Sequence, residues 1–223
     1  VHTVSPETCN GLDDDCDGAT DEADASGRVE WYLDADGDGY GDEADTVEDC
    51  DAPDGYAADP GDCDDDDATI HPDATEGCDA TDENCDGLID EDASCPCDID
   101  WYGDSAYLFC ETATSWTSAK ATCESVGYHL ATVGGVAEDD WLLSVARTYS
   151  VSAAYWWIGF NDRAREGTWV WDDGSPVTYT RWNAGEPNNS GDEDCTQLTW
   201  ASAHWNDWAC TSSSTYICEA EAE

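Results

Sequence analysis

The chain has 223 residues, and its 6 lysines and arginines stand against 54 aspartates and glutamates, which gives a formal net charge of −48. Self-repulsion of this size opposes compaction unless cations are bound, and nucleic acid is excluded as a partner because no basic cluster could contact phosphates. Thirteen cysteines in short, regular spacings indicate disulfides and an oxidising compartment, so we expect a secreted or cell-surface protein.

No apolar stretch reaches the ~18–20 residues that cross a membrane, so we predict no transmembrane segment. The sequence starts at Val1-His2-Thr3 without a signal-peptide pattern, and we interpret it as a mature protein or as part of a longer exported one.

Residues 1–94 carry 34 of the acidic residues and few apolar ones, so this region needs ions or disulfides to become ordered. The composition changes near Ala93–Pro96, which predicts two domains, 1–94 and 95–223.

The first domain contains an internal repeat. The segment that begins at Glu7 (ETCNGLDDDCDG) is echoed by the one that begins at Glu76 (EGCDATDENCDG). Two further acidic loops begin at Asp34 and Asp62, and Val29–Leu33 has the residue types of a strand. The region therefore consists of four acidic loops set against short structural elements.

These loops carry the ligand pattern of calcium sites. Acids at positions 1, 3, 5, 9 and 12 with glycine at position 6 supply the ~6–8 oxygens that Ca²⁺ prefers. Two loops are complete: Asp13, Asp15, Asp17, Asp21 and Asp24 with Gly18, and Asp34, Asp36, Asp38, Asp42 and Asp45 with Gly39. Two are incomplete: Asp62, Asp64, Asp66 and Asp73, and Asp82, Asn84, Asp86 and Asp90.

The acidic loops resemble thrombospondin type 3 repeats and the acidic metal-binding-motif repeats of exported bacterial proteins. We expect several structural calcium ions, whose removal would loosen this irregular, disulfide-stabilised segment. A solvated acidic tail is one alternative, and copper is another, for which His2 and His71 would be the donors. Local pairing predicts the disulfides Cys9–Cys16, Cys50–Cys63 and Cys78–Cys85, although sequence does not determine connectivity.

The second domain is predicted to be α+β. Ser115–Gly127 has helical apolar spacing, with Ser115 as the N-cap and Gly127 as the stop, and Ala137–Arg147 is a second helix with acids near its start. Strand-like segments follow at Tyr155–Phe160, Thr168–Trp171, Cys195–Trp200 and Thr215–Cys218.

Four motifs in this domain occur in a specific order: Trp157-Ile158-Gly159-Phe160, Glu186-Pro187-Asn188, Glu193-Asp194-Cys195 and Trp205-Asn206-Asp207. Over residues 97–219 they resemble the long form of the C-type lectin-like family, of the Glu-Pro-Asn type. The resemblance implies a double-loop fold with the disulfides Cys123–Cys218, Cys195–Cys210 and Cys97–Cys110. It leaves Cys95 for a partner outside this sequence or in another subunit.

The resemblance also implies two calcium sites in the long loops between residues 160 and 207. The principal ligands would be Glu186, Asn188, Glu193, Asn206 and Asp207, with the peptide before Pro187 in cis. The second ion would be held by Asp162, Glu166, Asn189 and Asp194, with Asn189 where an acid is common in the family.

Ligand counting gives the expected function. Ca²⁺ holds up to about eight oxygens, so two neighbouring sugar hydroxyls can complete its shell while they also bond the carboxylates and amides of the principal ligands. In the family the Glu-Pro-Asn order goes with the equatorial 3- and 4-hydroxyls of mannose, fucose, glucose or N-acetylglucosamine. We expect an adhesion or recognition protein for glycoconjugates whose weak sites act in several copies, as an oligomer or within a larger parent protein.

The alternative is a C-type lectin-like domain that binds a protein or another non-sugar ligand, with calcium only structural. An enzyme is not expected, because G-x-S-x-G, H-E-x-x-H and Walker motifs are missing and the four histidines are scattered. Packing roles are predicted for the tryptophans of this half, namely the core residues Trp156, Trp157, Trp169, Trp171 and Trp200, and Trp182 and Trp208 nearer the site.

Overall fold

The structure, a computed structural model, describes residues 6–150, 155–199 and 202–221. His2, a predicted copper donor, and Trp200, a predicted core residue, lie outside these ranges. The chain divides into two compact units: the residues up to Thr75 together with Glu83–Asp86, and Glu76–Asp82 together with the residues from Gly87 onward. None of the helices in the described ranges is long and apolar enough to cross a membrane.

The first unit contains a four-stranded sheet in the order β3-β1-β2-β4. Its strands are β1 (Val29–Leu33), β2 (Tyr40–Asp49), β3 (Tyr56–Ala57) and β4 (Asp59–Pro60). β1 has the predicted bounds, whereas the sequence patterns miss β2 because YGDEADTVED is acidic and almost without apolar residues. Gly41 on β2 permits the close pairing with β1, since a Cβ there would lie 2.5 Å from the carbonyl oxygen of Leu33.

The disulfides of the acidic half correct the predicted local pairs. The bridges are Cys9–Cys50, Cys63–Cys85 and Cys78–Cys95. The predicted pairs Cys9–Cys16, Cys50–Cys63 and Cys78–Cys85 are therefore wrong, and the unpaired cysteine is the exposed Cys16, not Cys95. The hairpin of β1 and the ten-residue β2 is the reason, because it returns the chain so that Cys50 lies beside Cys9.

Cys16 and Cys85 occupy equivalent positions of the internal repeat. Both have a positive φ, of 62° and 60°, in the left-handed region. The partner of Cys85 is Cys63, which precedes it by 22 residues.

The second unit combines two helices with an eight-stranded sheet, which confirms the predicted α+β class. The strand order is β11-β10-β8-β12-β6-β5, with β7 paired to β12 and β9 paired to β8. The strands are β5 (Asp98–Tyr102), β6 (Ser105–Thr114), β7 (His129–Leu130), β8 (Tyr155–Asn161), β9 (Val170–Trp171), β10 (Cys195–Thr199), β11 (His204–Trp208) and β12 (Ser214–Glu221). The sequence patterns predict β8, β9, β10 and β12 and miss the other four.

Both predicted helices are present. α1 (Trp116–Glu124) follows Ser115, whose hydroxyl accepts a hydrogen bond from the amide of Ser118 at 3.3 Å, as an N-cap does. Gly127 ends the segment with φ +79°, and a Cβ there would lie 2.1 Å from the carbonyl oxygen of Asp79. α2 (Val136–Tyr149) has two acids in its first turn and one arginine in its last, which suits the helix dipole.

The core of this unit is largely aromatic. Trp156, Trp157 and Trp171 are buried as predicted, and Trp169 and Trp182 pack against the core from partly exposed positions. The packing role predicted for Trp208 is wrong, because that side chain is 44% exposed at the end of β11. The bridges Cys97–Cys110, Cys123–Cys218 and Cys195–Cys210 are those that the family resemblance implies.

A buried acid on β12 makes the stability of this unit pH-dependent. Glu219 is 4% exposed, with one oxygen 2.8 Å from the Tyr107 hydroxyl and the other accepting from the amide of Thr132 at 2.7 Å. The same hydroxyl lies 2.7 Å from Glu138, so one phenolic proton faces two carboxylates. Burial raises the pKa of Glu219 to about 8, which keeps this carboxyl protonated at neutral pH.

We expect Glu219→Gln to flatten the pH dependence of unfolding, because glutamine resembles the protonated acid. The folded protein holds the Glu219 proton more tightly than the unfolded chain does, because the pKa of this carboxyl is raised on folding. The protonated carboxyl therefore contributes its full stabilisation below pH ~4.5, and this stabilisation is lost as the pH rises through about 8. At ~1.4 kcal/mol per pH unit, the loss is at most ~5 kcal/mol. Calorimetry in saturating calcium from pH 5 to 9 measures it, with the exposed Glu111→Gln as control. Parallel curves for all three proteins would contradict this expectation.

Candidate calcium and ligand site

Backbone hydrogen bonds hold the long loop of the second unit against β11. The amide of Trp205 donates to the carbonyl oxygen of Arg181 at 2.7 Å, and the amide of Asn183 donates to the carbonyl oxygen of Trp205 at 2.8 Å. Glu186 follows three residues after Asn183, and its peptide bond to Pro187 is cis, as predicted. The loop therefore delivers the Glu-Pro-Asn segment to the strand that carries Asn206 and Asp207.

Three acids of the predicted principal site come together there. Asp207 is fully buried, and its Oδ2 accepts from the amide of Asn189 at 2.7 Å. Glu193 is 6% exposed and accepts from the amide of Ser190 at 2.9 Å. Burial raises the pKa of Glu186, and Asp207 and then Glu193 raise it further, because like charges this close disfavour ionisation.

The two amide side chains of the predicted set each contact an acid of that set or its backbone. Asn188 donates from Nδ2 to Glu186, and Asn206 donates from Nδ2 to the carbonyl oxygen of Asp207 at 2.5 Å. Direct contacts or close charges thus link four of the predicted principal ligands, Glu186, Asn188, Glu193 and Asp207, and Asn206 precedes Asp207 on β11.

The acids of the predicted second site gather around Asp162. Asp162 is 2% exposed, its Oδ2 accepts from the amide of Gly167 at 2.7 Å, and its own amide donates to the carbonyl oxygen of Asp194 at 3.0 Å. Burial, followed by the charge of Asp194, raises the pKa of Asp162, and partial desolvation with the charges of Asp162 and Asp194 raises the pKa of Glu166. Asn189 differs, because its side-chain oxygen accepts from the amide of Glu193 at 2.7 Å and so braces the loop.

Two buried oxygens show that these residues fit a cation. Asp207 Oδ1 and Asp162 Oδ1 are buried and have no hydrogen-bond donor, which is costly for a carboxylate in the absence of a counter-charge. In the described ranges no lysine or arginine forms an ion pair with either acid. A set of carboxylate and amide oxygens without nitrogen or sulfur donors suits Ca²⁺.

The first acidic loop forms two overlapping groups of carboxylates. One oxygen each of Glu7, Asp13 and Asp15 lie within 4.8 Å of one another, and the same holds for Asp15, Asp17 and Glu22. The predicted ligand Asp24 is exposed and belongs to neither group. Glu7 and Glu22 were not predicted; Glu7 could have been found, because the repeat has a glutamate, Glu76, at the equivalent position.

The acid at position 9 of this loop has a different role. Asp21 accepts from the amides of Asn10 and Gly11 at 3.0 Å each, and its own amide donates to Glu7 at 3.3 Å. The equivalent bonds, shifted by 69 positions, surround Asp90 in the fourth loop, which also accepts from a tyrosine hydroxyl at 2.5 Å. Both carboxylates therefore close the turn by binding backbone amides.

The other predicted ligands are distributed as follows. One oxygen each of Asp34, Asp36 and Asp38 lie within 4.8 Å of one another, whereas Asp42 and Asp45 lie on β2, outside this group. In the third loop Asp62 is buried, Asp64 and Asp66 are exposed, and Asp73 accepts from the Tyr40 hydroxyl at 2.7 Å. In the fourth loop, Asp82 accepts from the amide of Gly87 at 2.9 Å, and Asn84 accepts from the amide of Asp86 at 3.0 Å. Residues 83–86 of this loop belong to the first compact unit and the rest of the loop to the second.

Copper has less support than calcium in these groups. The two groups of the first loop and the group at Asp34 consist of carboxylates alone. His71, the predicted donor within the described ranges, stacks on Tyr40 with ring centroids 5.2 Å apart and accepts at Nδ1 from the amide of Asp73. Hard oxygen donors favour Ca²⁺ over Cu²⁺.

A cavity of about 350 Å³ adjoins the principal site. It is lined by polar side chains and two exposed aromatic rings: Tyr155, Asn183, Gln197, Thr199, Ser202, Asn206, Trp208 and Ser213. Asn206 belongs both to this cavity and to the predicted calcium ligands. Polar groups beside aromatic rings are the surroundings that an amphipathic ligand needs.

Comparisons with known proteins agree with this fold. Residues 112–220 match the family described as "Lectin C-type domain", and residues 1–22 and 62–91 match the one described as "Putative metal-binding motif". The chain is 40% identical over 113 residues to "C-type lectin domain family 17, member A" of Homo sapiens, covering 51% of this chain and 29% of that protein. It is 38% identical over 121 residues to "Ladderlectin" of Oncorhynchus mykiss, covering 53% and 64%.

Among solved structures, the "Mouse Scavenger Receptor C-type Lectin carbohydrate-recognition domain" is similar with a TM-score of 0.52 and 35% identity, over 58% of this chain and 100% of that one. The fold and the loop site define a C-type lectin domain. Residues 112–220 thus form a C-type lectin domain, and the acidic half matches a metal-binding motif. It spans less than two thirds of the length of both curated relatives.

Proposed function

We propose that the chain is a calcium-dependent carbohydrate-binding protein that acts in adhesion or recognition outside the cell. The observation that supports this best is the buried, unpartnered Oδ1 of Asp207 beside the carboxylates of Glu186 and Glu193. With the amides of Asn188 and Asn206, these residues would hold Ca²⁺, which supplies open coordination positions for two sugar hydroxyls.

The side chains would share the hydroxyls with the ion. Each hydroxyl keeps a proton to donate to Glu186 or Glu193, and a lone pair to accept from the NH₂ group of Asn188 or Asn206. The hydroxyl pair that we propose for a site with the Glu-Pro-Asn order is the equatorial 3- and 4-hydroxyls. Mannose, fucose, glucose and N-acetylglucosamine all offer this pair. The neighbouring cavity would accept a further unit of a glycoconjugate, with Trp208 as an aromatic face.

Asp162, Glu166, Asn189 and Asp194 would hold a second ion that orders the long loop. We propose a structural role for calcium in the acidic region 1–94 as well, and a lectin domain over 95–223. The support in the acidic region is the convergence of carboxylates at Asp13–Asp17 and at Asp34–Asp38.

Elution from a mannose resin tests the lectin function. The full chain should bind in calcium and be released by EDTA, because the hydroxyls lose their main ligand when the ion is removed. Acidification to pH ~4–5 should also release it, since protonation of the carboxylates weakens calcium binding. Retention in EDTA would contradict the proposal. A glycan array without signal in calcium would favour a non-sugar ligand for the same fold.

A further inference from the structure

The acidic loop Asp34–Asp38 lies beside a second acidic segment of the same unit. β2 pairs in parallel with β4, and the carbonyl oxygen of Gly41 on β2 accepts from the amide of Asp62, just after β4, at 3.3 Å. A direct bond also joins the two segments, since the amide of Ala35 donates to Asp65 Oδ1 at 2.8 Å. The start of the third loop is therefore held against the second.

This arrangement buries the side chain of Asp62. Its exposure is 7%, its Oδ1 accepts from the amide of Asp64 at 2.9 Å, and its Oδ2 is buried without a hydrogen-bond partner. In the loop opposite, Asp36 Oδ2 and Asp38 Oδ2 are buried without a partner in the same way. Burial raises the pKa of Asp62, and the nearby negative charges of Asp38 and Asp36 raise it further.

No basic side chain in the described ranges offsets this charge. Arg28 is the single base of residues 1–94, and its Nη1 donates to the carbonyl oxygen of Ala23 at 2.7 Å. With Asp34, whose carboxylate lies within 4.8 Å of Asp36 and Asp38, the set holds four carboxylates and three unpartnered buried oxygens. A hard divalent cation satisfies both the charge and the oxygens.

We propose that Asp62 completes the cation site begun by Asp34, Asp36 and Asp38, so that the second and third acidic loops hold one shared Ca²⁺ in place of one ion each. This inference rests on the calcium binding proposed for the acidic region and is independent of sugar binding. A shared ion would cross-link the turn before β2 to the segment after β4, and so stabilise a sheet that has little apolar core.

Counting bound ions tests this on the full chain. Native mass spectrometry at increasing calcium would compare the parent with Asp62→Asn, Asp36→Asn and the double variant. Each single variant should lose one ion, and the double variant should lose the same one ion. Asp67→Asn, at an exposed acid of the same segment that is not among the predicted ligands, is the control and should keep the full number.

An unchanged count in Asp62→Asn, or two ions lost in the double variant, would overturn the proposal in favour of separate sites. Hydrogen exchange on Asp36→Asn gives an answer that does not depend on Asp62→Asn folding. A shared ion predicts that calcium no longer protects the amides of residues 62–65, and normal protection there would also overturn it. Mannose retention of the parent is a separate measurement, so its failure would count against the lectin function alone.

Discussion

Asp207→Asn should abolish calcium-dependent retention on mannose and lower the calcium affinity of the principal site at least ~100-fold, or about 3 kcal/mol. Asp207 is fully buried, and its Oδ1 has no partner other than the proposed ion. Asparagine keeps the shape and can still accept from the amide of Asn189, but it brings no charge to the site. The loss therefore falls on cation binding and leaves the backbone of the loop in place.

The same variant should have the opposite effect without calcium. A buried carboxylate that lacks a partner destabilises the folded state, so its neutral replacement should melt at the same or a higher temperature than the parent in EDTA. In calcium the order should reverse, because the parent alone gains the binding energy of the ion. Thermal melts in both conditions measure this reversal, with the exposed loop acid Asp192→Asn as control. A variant that still binds calcium and mannose like the parent would refute the assignment.

Asp139→Ala should cost ~3–5 kcal/mol of unfolding free energy, the range for breaking a buried ion pair. Asp139 lies in the first turn of α2, is fully buried, and accepts from the Tyr179 hydroxyl at 3.0 Å, Arg181 Nη1 at 3.0 Å and Trp205 Nε1 at 3.1 Å. Its removal leaves the Tyr179 hydroxyl and the Trp205 Nε1–H without this acceptor, and leaves Arg181 paired with the exposed Asp140 alone. Because Trp205 directly precedes Asn206, the variant should also weaken mannose binding by loosening the loop.

Asp140→Ala is a matched control for this prediction. Asp140 pairs with the same arginine at 2.5 Å, but its side chain is 60% exposed, so solvent screens the interaction and the expected cost is ~0–1 kcal/mol. Denaturant unfolding of both variants in saturating calcium gives the two free energies. If both variants lost the same unfolding free energy, burial of Asp139 would not be the reason that its hydrogen bonds stabilise the fold.

The sequence by itself determined the lectin half to a large extent. The cap at Ser115, the cis peptide before Pro187 and the bridge Cys123–Cys218 are all found where the motifs predict them. These features depend on short motifs at characteristic spacings, each of which combines residue types that few other structures require together. For the same reason the five residues that we propose as principal calcium ligands could be named from the motifs alone.

Only the tertiary structure decided how the acidic half is arranged. It pairs Cys9 with Cys50, places Asp42 and Asp45 on a strand and uses Asp21 to bind backbone amides. The physical reason is that an aspartate oxygen accepts equally well from a metal ion and from a backbone amide, so composition cannot separate the two roles. Chain reversal by β2 then selects which cysteines and which carboxylates meet, and that choice is made by contacts distant in sequence.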